Sequence, residues 1–94
     1  MHILRIEHPV PDFDAWKKAF DSDPLRREQS GVRRYRVLRA ADDPNKVMID
    51  LEFDSQSKAE ALATALRGLW SHVEGQIMDS PRARIVEAVE SKEY

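Results

Sequence analysis

Residues 47–53, VMIDLEF, carry an apolar residue at every second position. Successive side chains of a β-strand point to opposite faces of the sheet, whereas the apolar side of a helix repeats about every 3.6 residues. The alternation therefore predicts a strand with one apolar face and one charged face. The apolar set is Val47, Ile49, Leu51 and Phe53, and the opposite set is Met48, Asp50 and Glu52. Other parts of the chain have to cover the apolar face of this strand.

Three further segments show strand patterns, at residues 2–8, 32–40 and 82–90. The polar stretch at 42–46 predicts the turn that leads into 47–53. The last segment contains two apolar sets of opposite parity, so its facing stays open between Ile85 with Val89 and Val86 with Ala88. The other two have defined faces: Leu4, Ile6 and His8 share one face of the first, while in the second Tyr35 and Val37 oppose Arg34, Arg36 and Leu38.

Two segments show helical spacing. Asp12 is a favourable N-cap, and Phe13, Trp16 and Phe20 follow on one helical face. Asp23-Pro24 interrupts this helix, residues 25–29 make a further short turn, and Gly31 ends it. The second helix is capped by Ser55 or Ser57 and ends between Gly75 and Pro81. Its apolar positions are Leu62, Leu66, Leu69, Trp70, Val73 and Ile77.

The order strand, helix, strand, strand, helix, strand predicts one ferredoxin-like α+β domain over residues 1–94. In this βαββαβ arrangement a four-stranded antiparallel sheet carries two helices on one face, and the third strand lies between the first two. Asp50 and Glu52 would then lie beside Arg5, Arg34 and Arg36 on the other face.

That second face has two interpretations. It is either a solvated, ion-paired surface or the contact with a second copy of the chain. A chain of 94 residues buries only about 60–65% of its unfolded surface, so a partner would add to a small core. The apolar part of such a homodimer contact would be Met48, Leu38, Ile3 and Val86.

Composition excludes several classes of protein. The chain has no Cys, which excludes thiolate nucleophiles, zinc-thiolate sites and disulfide bonds. Its net charge is −2, which disfavours a uniformly basic nucleic-acid binder. Six arginines lie within residues 26–39, but a strand divides them between two faces and the next strand places acids beside them. There is no signal-peptide pattern and no apolar run of about 18 residues, so we expect a cytoplasmic protein without a membrane partner.

The three histidines are too scattered for a metal site, and the sequence has no glycine-rich phosphate loop, so we expect neither a metal nor another cofactor. The aromatic stripe on the first helix is either ordinary core or the wall of an apolar pocket between helices and sheet. In the second case the ligand-binding residues would be Trp16, Tyr35, Leu62 and Trp70, with His8 at one end. The candidate catalytic residues are His8, Tyr35 and His72, which would position a substrate hydroxyl or take its proton.

Three stretches, at 10–21, 42–47 and 52–55, resemble small bacterial proteins of the dimeric α+β barrel superfamily. This group includes antibiotic-biosynthesis-monooxygenase-like, cyclase-like and stress-responsive barrel proteins. The resemblance covers nearly the whole chain and implies a homodimer whose two sheets form a barrel. Some members are oxygenases that need no cofactor.

Haem-degrading members of the group use an Asn on the first strand with a Trp and a His on the second helix. Here Glu7 and His8 lie where Asn is expected, Leu62 lies near the Trp position, and Trp70 comes about two turns later. Only His72 lies near its expected region. The pattern does not support haem degradation.

Sequence therefore predicts a small homodimeric protein that binds a hydrophobic or aromatic small molecule between sheet and helices. A monooxygenase-like or cyclase-like activity would follow from the resemblance. The alternative is a non-catalytic dimeric structural or stress-related module whose core is filled by its own side chains. The residues leave open whether the protein is an enzyme.

Overall fold

A computed structural model describes residues 1–73 and 82–94, apart from the side chains of residues 72 and 73. The elements are β1 (His2–Pro9), α1 (Phe13–Asp21), β2 (Val32–Ala40), β3 (Asp43–Phe53), α2 (Gln56–Val73) and β4 (Arg82–Glu87). The strands form one antiparallel sheet in the order β2-β3-β1-β4, which confirms the predicted ferredoxin-like α+β fold. The helix end predicted between Gly75 and Pro81, with Ile77, lies outside the described residues.

Helix α1 begins as the sequence predicts. Asp12 has an extended backbone, and its side chain accepts a hydrogen bond from the Asp14 N–H. The helix ends at Asp21, and hydrogen-bonded turns follow up to Gly31. Within these turns Asp23 and Arg26 have φ angles of 52° and 49°, a left-handed conformation that does not continue a helix.

Two predicted boundaries are wrong. The turn expected at 42–46 is shorter, because Asp43 already pairs with Ala40 and β3 starts there. The last strand ends at Glu87 instead of residue 90, because Glu87 pairs with His2, the first residue of β1, and in the described part of the chain no strand lies opposite beyond it. Polar residues thus extend β3, and an apolar one, Val89, remains outside β4.

Pairing also decides the facing of β4. Ile85 lies opposite Leu4, which is fully buried, so Ile85 faces the helices. Val89, which has the same parity, is 93% exposed beyond the strand. The core lies between the inner face of the sheet and the two helices, and its largest fully buried side chains are Trp16, Phe53, Leu4, His8 and Val47.

Ion pairs cover the outer face of the sheet, as the sequence predicts. Arg5 donates two hydrogen bonds to Asp50, at 2.8 and 2.9 Å, and Arg36 donates a third at 3.1 Å. Arg34 donates two to Glu52. The hydrogen bonds from Arg5 lower the pKa of Asp50 below its ordinary value, and Arg36 adds to this, although burial opposes it.

Within the described residues, no helix is both long and apolar enough to cross a bilayer.

Candidate ligand cavity

A cavity of about 170 Å³ lies between the sheet and the two helices and is partly open to solvent. Its floor comes from β1 and β3, its walls from α1 and α2, and its rim from the turns that follow α1. Nearly all the lining is apolar. The floor residues are Ile6, His8, Ile49 and Leu51; the wall residues are Trp16, Ala19, Phe20, Leu62, Leu66, Leu69 and Trp70; the rim residues are Ser22, Asp23, Pro24, Leu25 and Arg27.

Aromatic rings run in a column along one side of this cavity. Trp16 is only 2% exposed and stacks on Phe20, with ring centroids 5.2 Å apart. Trp16 also contacts the His8 ring at 5.6 Å and the Phe13 ring at 5.8 Å. Phe20 meets Tyr35 edge-on at 5.2 Å. The helical spacing of Phe13, Trp16 and Phe20 produces this column, because residues three and four apart share one face of α1.

Arg27 holds the rim in place. Its guanidinium lies 3.8 Å from the centre of the Phe20 ring and donates a hydrogen bond to the Phe20 carbonyl oxygen at 2.8 Å. The Arg27 backbone N–H donates to the Asp23 carboxylate at 2.9 Å. These contacts tie the turns after α1 to the aromatic column. The sequence pattern does not predict this rim beyond the interruption at Asp23-Pro24.

His8 is the buried polar side chain of the lining. It is 1% exposed, and its Nδ1 lies 3.3 Å from the Pro9 carbonyl oxygen. Its Nε2 is buried and has no hydrogen-bond partner in the described part of the chain. Burial lowers the pKa of His8 below its ordinary value of 6.5, and the contact with Pro9 only partly opposes this. The imidazole is therefore neutral at pH 7.

Four of the residues predicted for a pocket line this cavity: Trp16, Leu62, Trp70 and His8. Tyr35 does not line it. This residue is 44% exposed and lies behind Phe20, because the ring of Phe20 occupies the space between Tyr35 and the cavity. The side chain of His72 lies outside the described residues. No three metal-binding side chains cluster within residues 1–73 and 82–94.

No family model matches the sequence, and no curated protein matches it either. Solved structures do match. SnoaB from Streptomyces nogalater, described as a cofactor-independent oxygenase, is 15% identical, with a TM-score of 0.74 over 96% of this chain and 94% of its own. A variant of MhuD with two manganese protoporphyrin IX molecules bound per active site is 16% identical, with a TM-score of 0.74 over the whole of both chains.

A dimeric ferredoxin-like protein from an uncultured marine organism is 7% identical, with a TM-score of 0.65 over the whole of both chains. At these identities the likeness concerns the fold. The resemblance noted in the sequence is confirmed at that level: the solved structures of similar fold include proteins described as antibiotic biosynthesis monooxygenases.

Proposed function

We propose that this protein binds a hydrophobic or aromatic small molecule in the cavity between its sheet and helices. The observation that carries the proposal is an apolar cavity of about 170 Å³ with an aromatic column along one side. An apolar cavity of about 150 Å³ engineered into another protein is large enough to bind benzene. One aromatic ring thus fits the cavity, and a larger molecule would extend through the rim.

The cavity counts against the alternative of a core filled by its own side chains. Close packing is the rule in protein interiors, and empty space forfeits dispersion contacts. A ligand ring stacked in this space would restore contacts with Trp16 and with the leucines of α2. Binding would therefore stabilise the folded protein.

A thermal-shift series with single-ring aromatics and polycyclic phenols tests the proposal. A ligand at about 100 times its Kd stabilises a protein by about 2.7 kcal/mol, which raises Tm by roughly 10–20 °C for a domain of this size. Trp16→Ala should abolish the shift. Tyr35→Ala is the matched control, since Tyr35 lies outside the lining and its removal should leave the shift intact. No shift with any ligand in the unmodified protein would contradict the proposal.

We also propose that the protein is a homodimer through the outer face of the sheet. Ile3, Met48 and Val86 are half-buried there, and Leu38 is 37% exposed. The buried carboxylates of Asp50 and Glu52 already have arginine partners, so packing a second sheet on this face would not leave them buried and unpaired. The dimeric ferredoxin-like protein of similar fold supports dimerisation.

Sedimentation equilibrium tests the dimer. The expected mass is twice the 10.9 kDa of one chain. Leu38→Glu should shift the mass toward the monomer, because it buries an unpaired charge at the contact. Val89→Glu is the control, since Val89 is 93% exposed and lies outside the sheet. A monomer at micromolar concentration would refute this arrangement.

The likeness to a cofactor-independent oxygenase supports one further proposal, that the bound aromatic is oxidised by dioxygen. In such a monooxygenation one oxygen atom becomes a carbonyl on the substrate and the other leaves as water with two substrate hydrogens. A neutral buried imidazole at His8 could take the proton of a substrate hydroxyl. Oxygen uptake with anthrone-type phenols tests this: saturable binding without uptake would leave a binding protein without oxygenase activity.

A further inference from the structure

The buried Nε2 of His8 needs an explanation. His8 is 1% exposed and lines the cavity, and its Nε2 lacks a hydrogen-bond partner in the portion of the chain that the structure describes. Buried polar atoms are nearly always paired, and leaving one unpaired costs about 1–3 kcal/mol. All other described side chains of the floor are apolar: Ile6, Ile49 and Leu51. They offer Nε2 nothing to bind.

The tautomer of His8 follows from its one polar contact. The Pro9 carbonyl oxygen 3.3 Å away can only accept a hydrogen bond, so Nδ1 carries the ring proton. In the neutral imidazole Nε2 then has a free lone pair and acts as an acceptor. Burial keeps the ring neutral by lowering its pKa. Nε2 is therefore suited to a donor group and unsuited to a carbonyl or a carboxylate.

We infer that His8 determines the ligand class of this cavity, selecting aromatic molecules that carry a hydroxyl donor, such as phenols and enols. This inference rests on the proposed binding function. An aromatic ring would fill the apolar space beside Trp16, and its hydroxyl would donate to Nε2 of His8. A ligand with a methyl group in place of the hydroxyl would leave Nε2 unpaired, and an anionic ligand would present lone pairs to a lone pair.

The matched ligands p-cresol and p-xylene test this inference, since they differ only in a hydroxyl and a methyl group. Their dissociation constants are measured by calorimetry or by quenching of tryptophan fluorescence. The ratio of the two constants is compared between the unmodified protein and His8→Phe, which keeps a planar ring and removes the nitrogens. A neutral hydrogen bond predicts that the preference for p-cresol falls by about 10-fold in His8→Phe.

His2→Phe is the control substitution. His2 lies on the same strand and the same face as His8 but does not line the cavity. The ratio should stay at its original value in this variant. An equal change in both variants would overturn the inference, because it would show a general effect of the substitution on the fold.

The two proposals fail in different ways. If neither ligand binds the unmodified protein, the cavity-binding proposal fails. If both bind and His8→Phe leaves their ratio unchanged, only the inference about His8 is overturned. Should His8→Phe not fold, nitrogen NMR of the unmodified protein decides: p-cresol should shift the Nε2 resonance of His8 and p-xylene should not, and equal shifts would refute the inference.

Discussion

The substitution Leu62→Phe tests whether the cavity has room for a larger side chain. Leu62 is 4% exposed and lines the cavity from α2. An enclosed void of 170 Å³ would cost about 4 kcal/mol of packing at about 24 cal/mol per Å³; because this cavity is partly open to solvent, that figure is an upper limit for any filling substitution. A phenylalanine adds three carbons, and each buried carbon contributes about 0.8 kcal/mol, less the loss from imperfect fit. We expect Leu62→Phe to stabilise the protein by about 1–2 kcal/mol.

Leu4→Phe provides the matched control. Leu4 is 0% exposed and packs in the core without lining the cavity, so the same enlargement has no room there. Overpacking of this kind costs about 1–3 kcal/mol. Urea unfolding gives both free energies, with unchanged m-values as the check that the folded and unfolded states are comparable.

The opposite signs of the two changes are the test. A gain for Leu62→Phe and a loss for Leu4→Phe would establish the void, and Leu62→Phe should then also weaken aromatic ligands. If Leu62→Phe is as destabilising as Leu4→Phe, the core is already full. That result would refute the cavity and favour a self-packed module.

Three further predictions concern stability. Trp16→Ala should cost about 3–5 kcal/mol in chemical unfolding, because this side chain is 2% exposed and packs against the rings of His8, Phe13 and Phe20; a cost below 1 kcal/mol would contradict the core placement. Gly31→Ala should cost about 1 kcal/mol or more, since φ is +102° and the added Cβ would lie 2.8 Å from Cδ of Lys58; an unchanged Tm would refute this. Acid should weaken the fold in two pH ranges. Burial lowers the pKa of His8 from 6.5, so the unfolded chain binds the proton more tightly than the folded one. The free energy of unfolding therefore falls as pH drops below about 6.5, and His8→Phe should remove this pH dependence. The pKa of Asp50 is lowered from 3.8, so its ion pairs contribute to the free energy of unfolding above that pH, and this contribution is lost below it. Asp50→Asn should remove this second pH dependence.

Much of the fold could be predicted because each pattern has one physical period. Alternation in 47–53 placed Leu51 and Phe53 inward and Asp50 outward, and the structure agrees, since a strand has only two faces. The positions of the hairpin turn and of the end of β4 could not be read in this way. A boundary depends on where a partner strand ends, and Glu87 stops β4 because His2 starts β1.

The placement of the candidate ligand-binding residues was predicted in part. Trp16, Leu62 and Trp70 line one cavity, as their apolar spacing on two helices suggested. Tyr35 shares the inward face of β2 with Val37 but lies outside the lining, because Phe20 packs in front of it. The spacing of residues predicts on which face of a strand or helix a side chain lies. It does not predict which side chain of another element packs against that face.

By itself the sequence determined the order of strands and helices, the side of β1, β2 and β3 that faces the core, and the ion pairs between Arg5, Arg34, Arg36 and the acids of β3. These follow from periods of two and 3.6 residues and from the pairing that the order imposes. Only the tertiary structure decided that space of about 170 Å³ remains between the layers and that Nε2 of His8 has no partner in the described chain. A void and an unpaired atom are what remains after all neighbours have packed, so no local pattern encodes them.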